Sequence, residues 1–228
     1  MPVIRVVGVL LGFATLISCG ESQGSRLATP ANTAGEPVTS GRDVDGVRKG
    51  FEAYRSALMD RDGQAAADAV TATTTAKYQE YRDLALTGDE STVKALSIVH
   101  RLTVLIVRHR TDVAALKAMD GRALLAHGVE QGWVSQNSVV RLKLDEVTVL
   151  GDSASAEATS GGQPAGRFLF AKEQGRWKLD LTKLLTATDP ALQAAAKEQG
   201  VSENEYIFSL ISATSGRTVT DEIWKPLE

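Results

Sequence analysis

Apolar residues recur every three to four positions along the first part of the chain. Val47, Phe51, Tyr54 and Leu58 have this spacing, which predicts an amphipathic helix over about residues 44–60. The same kind of pattern predicts further helices over about residues 64–86, 91–109, 112–119 and 121–131. The first part of the domain is therefore expected to be helical.

Two stretches leave the helical prediction open. Thr71–Thr75 is poor in helix formers, so the second helix either breaks there or runs through it. Leu102–Val107 contains enough β-branched residues for a strand, but the length of the surrounding helical pattern favours a helix.

The second part of the domain changes to a period of two. Val140, Leu142 and Leu144 alternate with charged residues, after which the apolar parity shifts to Val147 and Val149. One additional residue between the two sets explains the shift, so we predict a β-bulge in a long bent strand.

Three more strands are predicted after this bent strand. Ala154, Ala156 and Ala158 share one face of the second strand, and their small side chains leave room for a helix or a cavity above them. Phe168 and Phe170 mark the third strand.

The fourth predicted strand carries Trp177, Leu179 and Leu181 on one face. Asp180 therefore points the other way, and we expect it to be solvated.

Helical signals return at the end of the chain. Asp189 is expected to cap a helix that has Pro190 at its first position, and Ser202 and Glu205 have the spacing of a capping box. The pattern is a run of helices, an antiparallel sheet and C-terminal helices, which is the α+β class.

The first 18 residues have the pattern of a secretory signal peptide. Arg5 precedes an apolar run over residues 6–17. A membrane-spanning helix needs about 20 apolar residues, so this run is too short for one. Residues 19–42 are rich in small and polar residues and predict a flexible tether, whereas residues 43–228 are expected to form a single domain.

The end of the signal sequence, Leu16-Ile17-Ser18-Cys19, resembles the lipobox of bacterial lipoproteins. This resemblance implies cleavage before Cys19, attachment of lipid to its sulfur and anchoring on the outer side of the cytoplasmic membrane. Gly20 is not the aspartate that retains such proteins in the inner membrane, so the outer membrane is expected if the source has two membranes. Cys19 is the only cysteine, which excludes an intramolecular disulfide and a multi-cysteine metal site.

The composition excludes several classes of protein. The chain is 43% hydrophobic and 23% charged, with a net charge of −3, which excludes a disordered or multi-spanning membrane protein. No electrostatic attraction to nucleic acid is expected at this charge.

The last predicted hairpin, from Phe168 to Leu179, has a charged-glycine turn followed by Trp177-Lys178 and an alternating strand. It resembles the final hairpin of nuclear transport factor 2-like domains. The resemblance implies helices packed on a curved four-stranded antiparallel sheet that forms a cone with an apolar pocket. The residues expected to line this pocket are Tyr54, Phe168, Phe170, Trp177 and Leu179. The additional helices over residues 112–131 and the chain beyond the last strand depart from the family pattern.

Candidate catalytic groups are few. Some members of the resembled family use an acid/base pair in the cone, for which Tyr54, His127 and Asp180 are the candidates in this chain. A solvated Asp180 and a His127 in the core or on the surface are the simpler interpretations.

Other residues with chemically active side chains have simple structural interpretations. His100 and His109 fall on opposite sides of one predicted helix and cannot share a metal there, and no cofactor is expected. Tyr78 and Tyr81 are interpreted as packing residues. Arg101, Arg108 and Arg110 are expected to form the polar face of the helix that carries His100 and His109.

The sequence favours a lipid-anchored, non-catalytic module that binds a small apolar ligand or an envelope protein. The alternative is a pocket enzyme of the isomerase or polyketide-cyclase type.

Overall fold

The computed structural model describes residues 41–134 and 136–228. The signal peptide, Cys19 and residues 20–40 of the predicted tether lie outside the described residues. The α-helices are α1 (Gly41–Asp60), α2 (Gly63–Asp68), α3 (Ala72–Thr87), α4 (Glu90–Lys94), α5 (Ile98–Arg110), α6 (Val113–Ala118), α7 (Gly121–Glu130), α8 (Gln136–Val139), α9 (Leu181–Ala187), α10 (Asp189–Glu198) and α11 (Glu203–Ser215). A short 3-10 helix follows at Asp221–Trp224.

The strands form one open antiparallel sheet in the order β1-β2-β3-β4. They are β1 (Leu142–Leu150), β2 (Ser153–Ser160), β3 (Gln163–Glu173) and β4 (Arg176–Asp180). The predicted bulge is confirmed, because the register of β1 against β2 shifts between Leu144 and Val147. Together with the helices before and after the sheet, this confirms the α+β class.

Both outer strands of the sheet are covered in part by other segments. Next to β4, the N–H of Leu179 donates to the carbonyl of Ala69 at 2.9 Å, and the N–H of Thr71 donates to the carbonyl of Leu179 at 3.0 Å. Next to β1, Arg48 of α1 donates to the carbonyls of Leu144 at 2.8 Å and Asp145 at 2.6 Å. The bulge thus directs backbone carbonyls toward α1, where a cation binds them.

Helix α1 packs closely on the sheet. A Cβ atom on Gly50 would clash with the backbone carbonyl of Trp177, and one on Gly46 would meet the indole ring. Phe51 packs edge to face against Phe168 at a centroid distance of 5.6 Å. Small residues on the helix therefore let it lie directly on β4.

The buried side chains of residues 41–134 and 136–228 form two clusters. The first, which we call the sheet core, lies between the inner face of the sheet and α1, α2 and α7, and includes the alanines of β2. The second, the helical core, is built by α3, α5, α10, α11 and the 3-10 helix. Tyr78 and Leu185 are partly buried and pack against both clusters.

Most predicted helix boundaries agree with the structure to within a few residues. The open question at Thr71–Thr75 is answered by a break, because Thr71 caps α3 by accepting from the N–H of Thr74 at 3.2 Å. Leu102–Val107 is helical, as favoured. The helix predicted over residues 91–109 is instead two helices, α4 and α5, separated at residues 95–97.

Three details of the predicted second half are wrong. Val140 precedes β1 and follows a short helix, α8, that the pattern did not indicate. Leu181 opens α9 rather than extending the fourth strand, because Asp180 accepts from the N–H of Thr182 and ends the strand. Asp189 does not cap its own helix; its carboxylate accepts from the N–H of Val99 at 2.9 Å, at the start of α5.

The C-terminal elements agree with their predicted signals. Ser202 and Glu205 form the reciprocal bonds of a capping box at the start of α11. Helix α1 begins at Gly41, so the last two residues of the predicted tether belong to it. Within the described parts of the chain, no helix combines the length and the apolar character needed to cross a bilayer.

Candidate functional site

The residues predicted to line a pocket come together in the sheet core. Tyr54 of α1, Phe168 and Phe170 of β3, and Trp177 and Leu179 of β4 are all at most 6% exposed. They belong to one buried cluster with Ala154, Ala156 and Ala158 of β2. Their role as the lining of a ligand pocket stays a prediction.

Trp177 is tied to the start of α1 by a polar contact at the margin of this cluster. Its indole Nε1 donates to Oδ1 of Asp43 at 3.0 Å, and Nζ of Lys172 donates to the same oxygen at 2.8 Å. The hydrogen bond that Lys172 donates to Asp43 raises the pKa of Lys172. Asp43 therefore fixes both the tryptophan and the approach of α1.

Two tyrosine hydroxyls lie in largely apolar surroundings near the junction of the two cores. Burial raises the pKa of Tyr78 to about 12 and also raises the pKa of Tyr54, to which the neighbouring Tyr78 contributes. Neither hydroxyl forms a hydrogen bond with any residue that the structure describes. We call Tyr54 and Tyr78 the tyrosine pair.

Tyr81 lies beside the tyrosine pair, in the helical core, and contacts a histidine. Its ring lies edge to face with that of Tyr78 at 5.6 Å, and its hydroxyl is 2.5 Å from Nδ1 of His100. Burial raises the pKa of Tyr81 and lowers that of His100, although Asp189 raises the latter. Both groups are therefore neutral at pH 7, and the hydrogen bond joins two uncharged partners.

The other ring nitrogen of His100 faces the surface. Nε2 lies 3.5 Å from Oγ1 of Thr186, an exposed residue of α9. A neutral, half-buried imidazole is able to accept a proton, so this pair is the best placed acid/base chemistry in the described residues.

The predicted catalytic candidates do not meet. Tyr54 lies in the sheet core, whereas the ring of His127 packs edge to face against Trp133 at 5.6 Å. Asp180 is half-buried rather than fully solvated, and its Oδ1 accepts from the N–H and the hydroxyl of Thr182 at 2.9 and 2.6 Å. No hydrogen bond or ring contact joins any two of the three among the described residues.

The prediction that three arginines form the polar face of α5 is wrong for two of them. Arg101 and Arg108 are 8% and 6% exposed. Arg101 bridges to Asn204 at 2.8 Å and to Glu203 at the start of α11. Helix α5 crosses the helical core, so neighbouring elements cover the face that would otherwise meet water.

Among the residues that the structure describes, Arg108 donates to backbone carbonyl groups alone. It donates to Leu84, Ala85 and Gly88 at the end of α3, and to Ile223 and Trp224 of the 3-10 helix. A helix end leaves carbonyls with few backbone partners, and the guanidinium of Arg108 adds donors to them. The carbonyls of Leu84 and Ala85 also accept from the N–H groups of Gly88 and Leu227.

No metal centre is evident in the described residues. No group of three histidine, cysteine or carboxylate side chains is close enough there to hold a metal ion. His100 contacts Tyr81, whereas Nε2 of His109 lies 3.0 Å from Oγ of Ser215, at the other end of α5.

The contact between Tyr81 and His100 is absent from the sequence prediction. The spacing of Tyr78 and Tyr81 correctly places both on one helix face, but no periodic signal relates that face to His100 on α5. The contact depends on how α3 crosses α5.

Comparisons with known proteins add no relative: no family model, no curated protein and no solved structure matches this chain.

Proposed function

We propose that the chain is a lipid-anchored cell-envelope protein whose domain binds a small apolar ligand in the sheet core. The observation that carries the proposal is the tyrosine pair, two hydroxyls without hydrogen-bond partners among the described residues in a largely apolar core. The proposal includes a cone of the nuclear transport factor 2-like type as the ligand-binding architecture, and binding without catalysis.

The tyrosine pair favours a ligand over an envelope protein as the bound partner. Tyrosine hydroxyls inside a protein usually have a hydrogen-bond partner. The oxygens of Tyr54 and Tyr78 are not among the fully buried polar atoms that lack one, so each retains accessible surface that a ligand atom could approach. A mostly apolar molecule with one polar atom would satisfy such a hydroxyl from within. An envelope protein would instead contact the outer surface and leave the tyrosine pair without a partner.

The composition of the sheet core supports an apolar ligand. Three alanines of β2 lie in the same cluster as Phe168, Phe170 and Trp177, so small side chains occur beside large aromatic ones. Apolar walls with a few polar groups are typical of small-molecule sites.

The ligand proposal is tested with two probes, naphthalene and 1-naphthol, which differ by one hydroxyl. We expect both probes to bind the wild-type chain. The Tyr54→Phe substitution should weaken the affinity for 1-naphthol several-fold and leave the affinity for naphthalene unchanged. Fluorescence titration measures both affinities. Tyr206→Phe is the matched control, since Tyr206 is also 4% exposed but lies in the helical core. Failure of both probes to bind would contradict the proposal.

The membrane anchor rests on the lipobox sequence and is tested separately. Cys19→Ala removes the only thiol, so incorporation of a labelled fatty acid should cease and uncleaved precursor should accumulate. Membrane fractionation of the wild type and the variant provides the comparison. Equal labelling of both chains would exclude the lipoprotein proposal.

The alternative function, a pocket enzyme with acid/base chemistry, is favoured by one contact. Tyr81 and His100 form a neutral hydrogen-bonded pair with Nε2 of the histidine toward the surface. This alternative ranks second because the pair lies in the helical core rather than on the inner face of the sheet. Modification of His100 by diethyl pyrocarbonate tests its accessibility; an unreactive His100 would exclude it as a base for external substrates.

A further inference from the structure

Two arginines and a histidine gather where α5 and α11 end. His109 and Arg110 are the last two residues of α5, and Arg217 follows Gly216, which ends α11. The guanidinium of Arg217 donates to the backbone carbonyl of His109, and Nε2 of His109 lies 3.0 Å from Oγ of Ser215. These contacts hold the two helix ends together, and Arg217 is near enough to Arg110 to lower the pKa of that guanidinium.

Arg110 has no partner for its guanidinium in the described residues. It forms no ion pair or hydrogen bond there, and its Nε is buried without a partner. The hydroxyl of Thr111, the next residue, is also buried without a partner, and Thr111 is 7% exposed. Two adjacent residues thus carry polar atoms that lack hydrogen bonds at this end of the helix.

The arrangement differs from the other arginines that have a buried, unpartnered Nε. Arg55 and Arg101 each form an ion pair, with Glu52 and Glu203 respectively. Arg110 alone among these three lacks a carboxylate. Its charge is therefore not balanced by an ion pair within the described chain.

The electrostatics of the cluster agree with this geometry. Burial and the neighbouring Arg217 lower the pKa of Arg110, and burial with both arginines lowers the pKa of His109. Asp112 is close in sequence, but its Oδ1 caps α6 by accepting from the N–H groups of Ala114 and Ala115 at 2.9 and 3.1 Å.

Helix dipoles do not account for all of the positive charge. Each helix C-terminus is equivalent to roughly half a negative charge, so the ends of α5 and α11 together offset about one guanidinium. Two guanidinium groups, Arg110 and Arg217, lie at these ends. About one full positive charge remains, with the imidazole of His109 beside it.

We propose that His109, Arg110 and Arg217 form a binding site for a phosphate group. A guanidinium matches the oxygens of phosphate in a bidentate manner, and a phosphate monoester carries enough negative charge to bind two cations. The phosphate belongs either to a soluble monoester or to a lipid headgroup at the membrane surface. This site is separate from the sheet core and does not depend on the proposed apolar ligand.

Calorimetric titration with inorganic phosphate tests the proposal. The full chain carrying Cys19→Ala is used, so that no attached lipid contributes. We expect binding that Arg110→Gln and Arg217→Gln each weaken at least about tenfold, as for loss of a charge-assisted hydrogen bond. Arg176→Gln, which changes the same charge at an exposed hairpin position, should bind as tightly as the parent.

A second variant and a second titrant complete the experiment. Arg110→Lys keeps the charge but not the bidentate geometry, so its affinity should lie between those of the parent and Arg110→Gln. Circular dichroism confirms that each variant is folded. Absence of phosphate binding by the parent, or equal weakening by Arg176→Gln, would overturn the site.

Vesicles distinguish the two sources of phosphate. Sedimentation is measured with phosphatidylcholine vesicles, with and without phosphatidic acid, for the parent and the Arg110 and Arg217 variants. Binding that requires both phosphatidic acid and the two arginines supports a lipid headgroup. Binding of inorganic phosphate without such vesicle dependence supports a soluble monoester.

Discussion

The sheet core and the helical core accommodate polar groups in opposite ways. In the sheet core the charged groups lie at the margin, where Arg48 binds the bulge of β1 and Asp43 binds Trp177. The helical core instead encloses Arg101 and Arg108, both at least nine-tenths buried. The same chain therefore builds one core from apolar contacts and the other around cations.

The difference follows from where backbone groups find their partners. Strands satisfy their N–H and C=O groups in the ladder, so the sheet core needs few side-chain donors. Helices leave carbonyls unpaired at their C-termini, and the end of α3 meets the 3-10 helix inside the helical core. Arg108 supplies the donors that water would otherwise provide.

The largest effect is expected from Trp177 in the sheet core. Trp177→Ala should lower the free energy of unfolding by about 3–5 kcal/mol, because it leaves a cavity beneath α1. Urea denaturation measures the loss. Trp177→Phe keeps a ring but lacks the N–H that binds Asp43, so it should lose less than the alanine variant. Equal losses would show that the polar contact, rather than ring packing, dominates.

A somewhat smaller loss is expected from Arg108 in the helical core. Arg108→Met retains a similar apolar stem but leaves five carbonyl groups without this donor, which should cost about 2–4 kcal/mol. Thermal and urea melts measure it, with exposed Arg176→Met as the control. A stable Arg108→Met would mean that the helical core does not require its cation.

The pH dependence of stability near neutral pH should come from the helical core. The change in the free energy of unfolding should be smaller than the losses expected from the Trp177 and Arg108 substitutions. Burial lowers the pKa of His100 and of His109 below the ordinary 6.5. The unfolded chain therefore takes up protons first as the pH falls through about 6.5, and the free energy of unfolding decreases until the native pKa values are reached. Urea melts at several pH values should show a smaller slope for His100→Gln. An unchanged slope would contradict the role of His100.

The smallest effect is expected where the two regions join, at Asp180. Asp180→Asn should change stability by about 0.5 kcal/mol or less, because asparagine also caps helices well, whereas Asp180→Ala should cost about 1 kcal/mol. Comparison of the two melts separates the cap of α9 from the charge. A costly asparagine variant would show that the charge of Asp180 matters more than its cap.

Local patterns predicted much of the sheet region. The bulge in β1, the buried alanine row of β2 and the burial of Trp177 and Leu179 follow from alternation along each strand. Such alternation is strong evidence because a shift of one residue would expose the whole apolar face. The capping box at Ser202 was equally local and is confirmed.

The helical region was harder to predict, because its decisive contacts join distant parts of the chain. Asp189 has the local signal of a cap for its own helix, yet it caps α5. Arg108 resembles a solvent-facing helix residue until α3 and the 3-10 helix close around it. Tyr81 and His100 meet only because α3 and α5 cross.

The sequence by itself determined the α+β order of elements, the strand faces and most helix ends, because each depends on residues a few positions apart. The tertiary structure alone decided which charged and hydroxyl groups are buried, and it placed Tyr54 and Tyr78 without hydrogen-bond partners. Burial is a property of the surroundings, and the elements that cover a side chain are distant along the chain. For this reason the candidate sites emerged only when the two cores were in place.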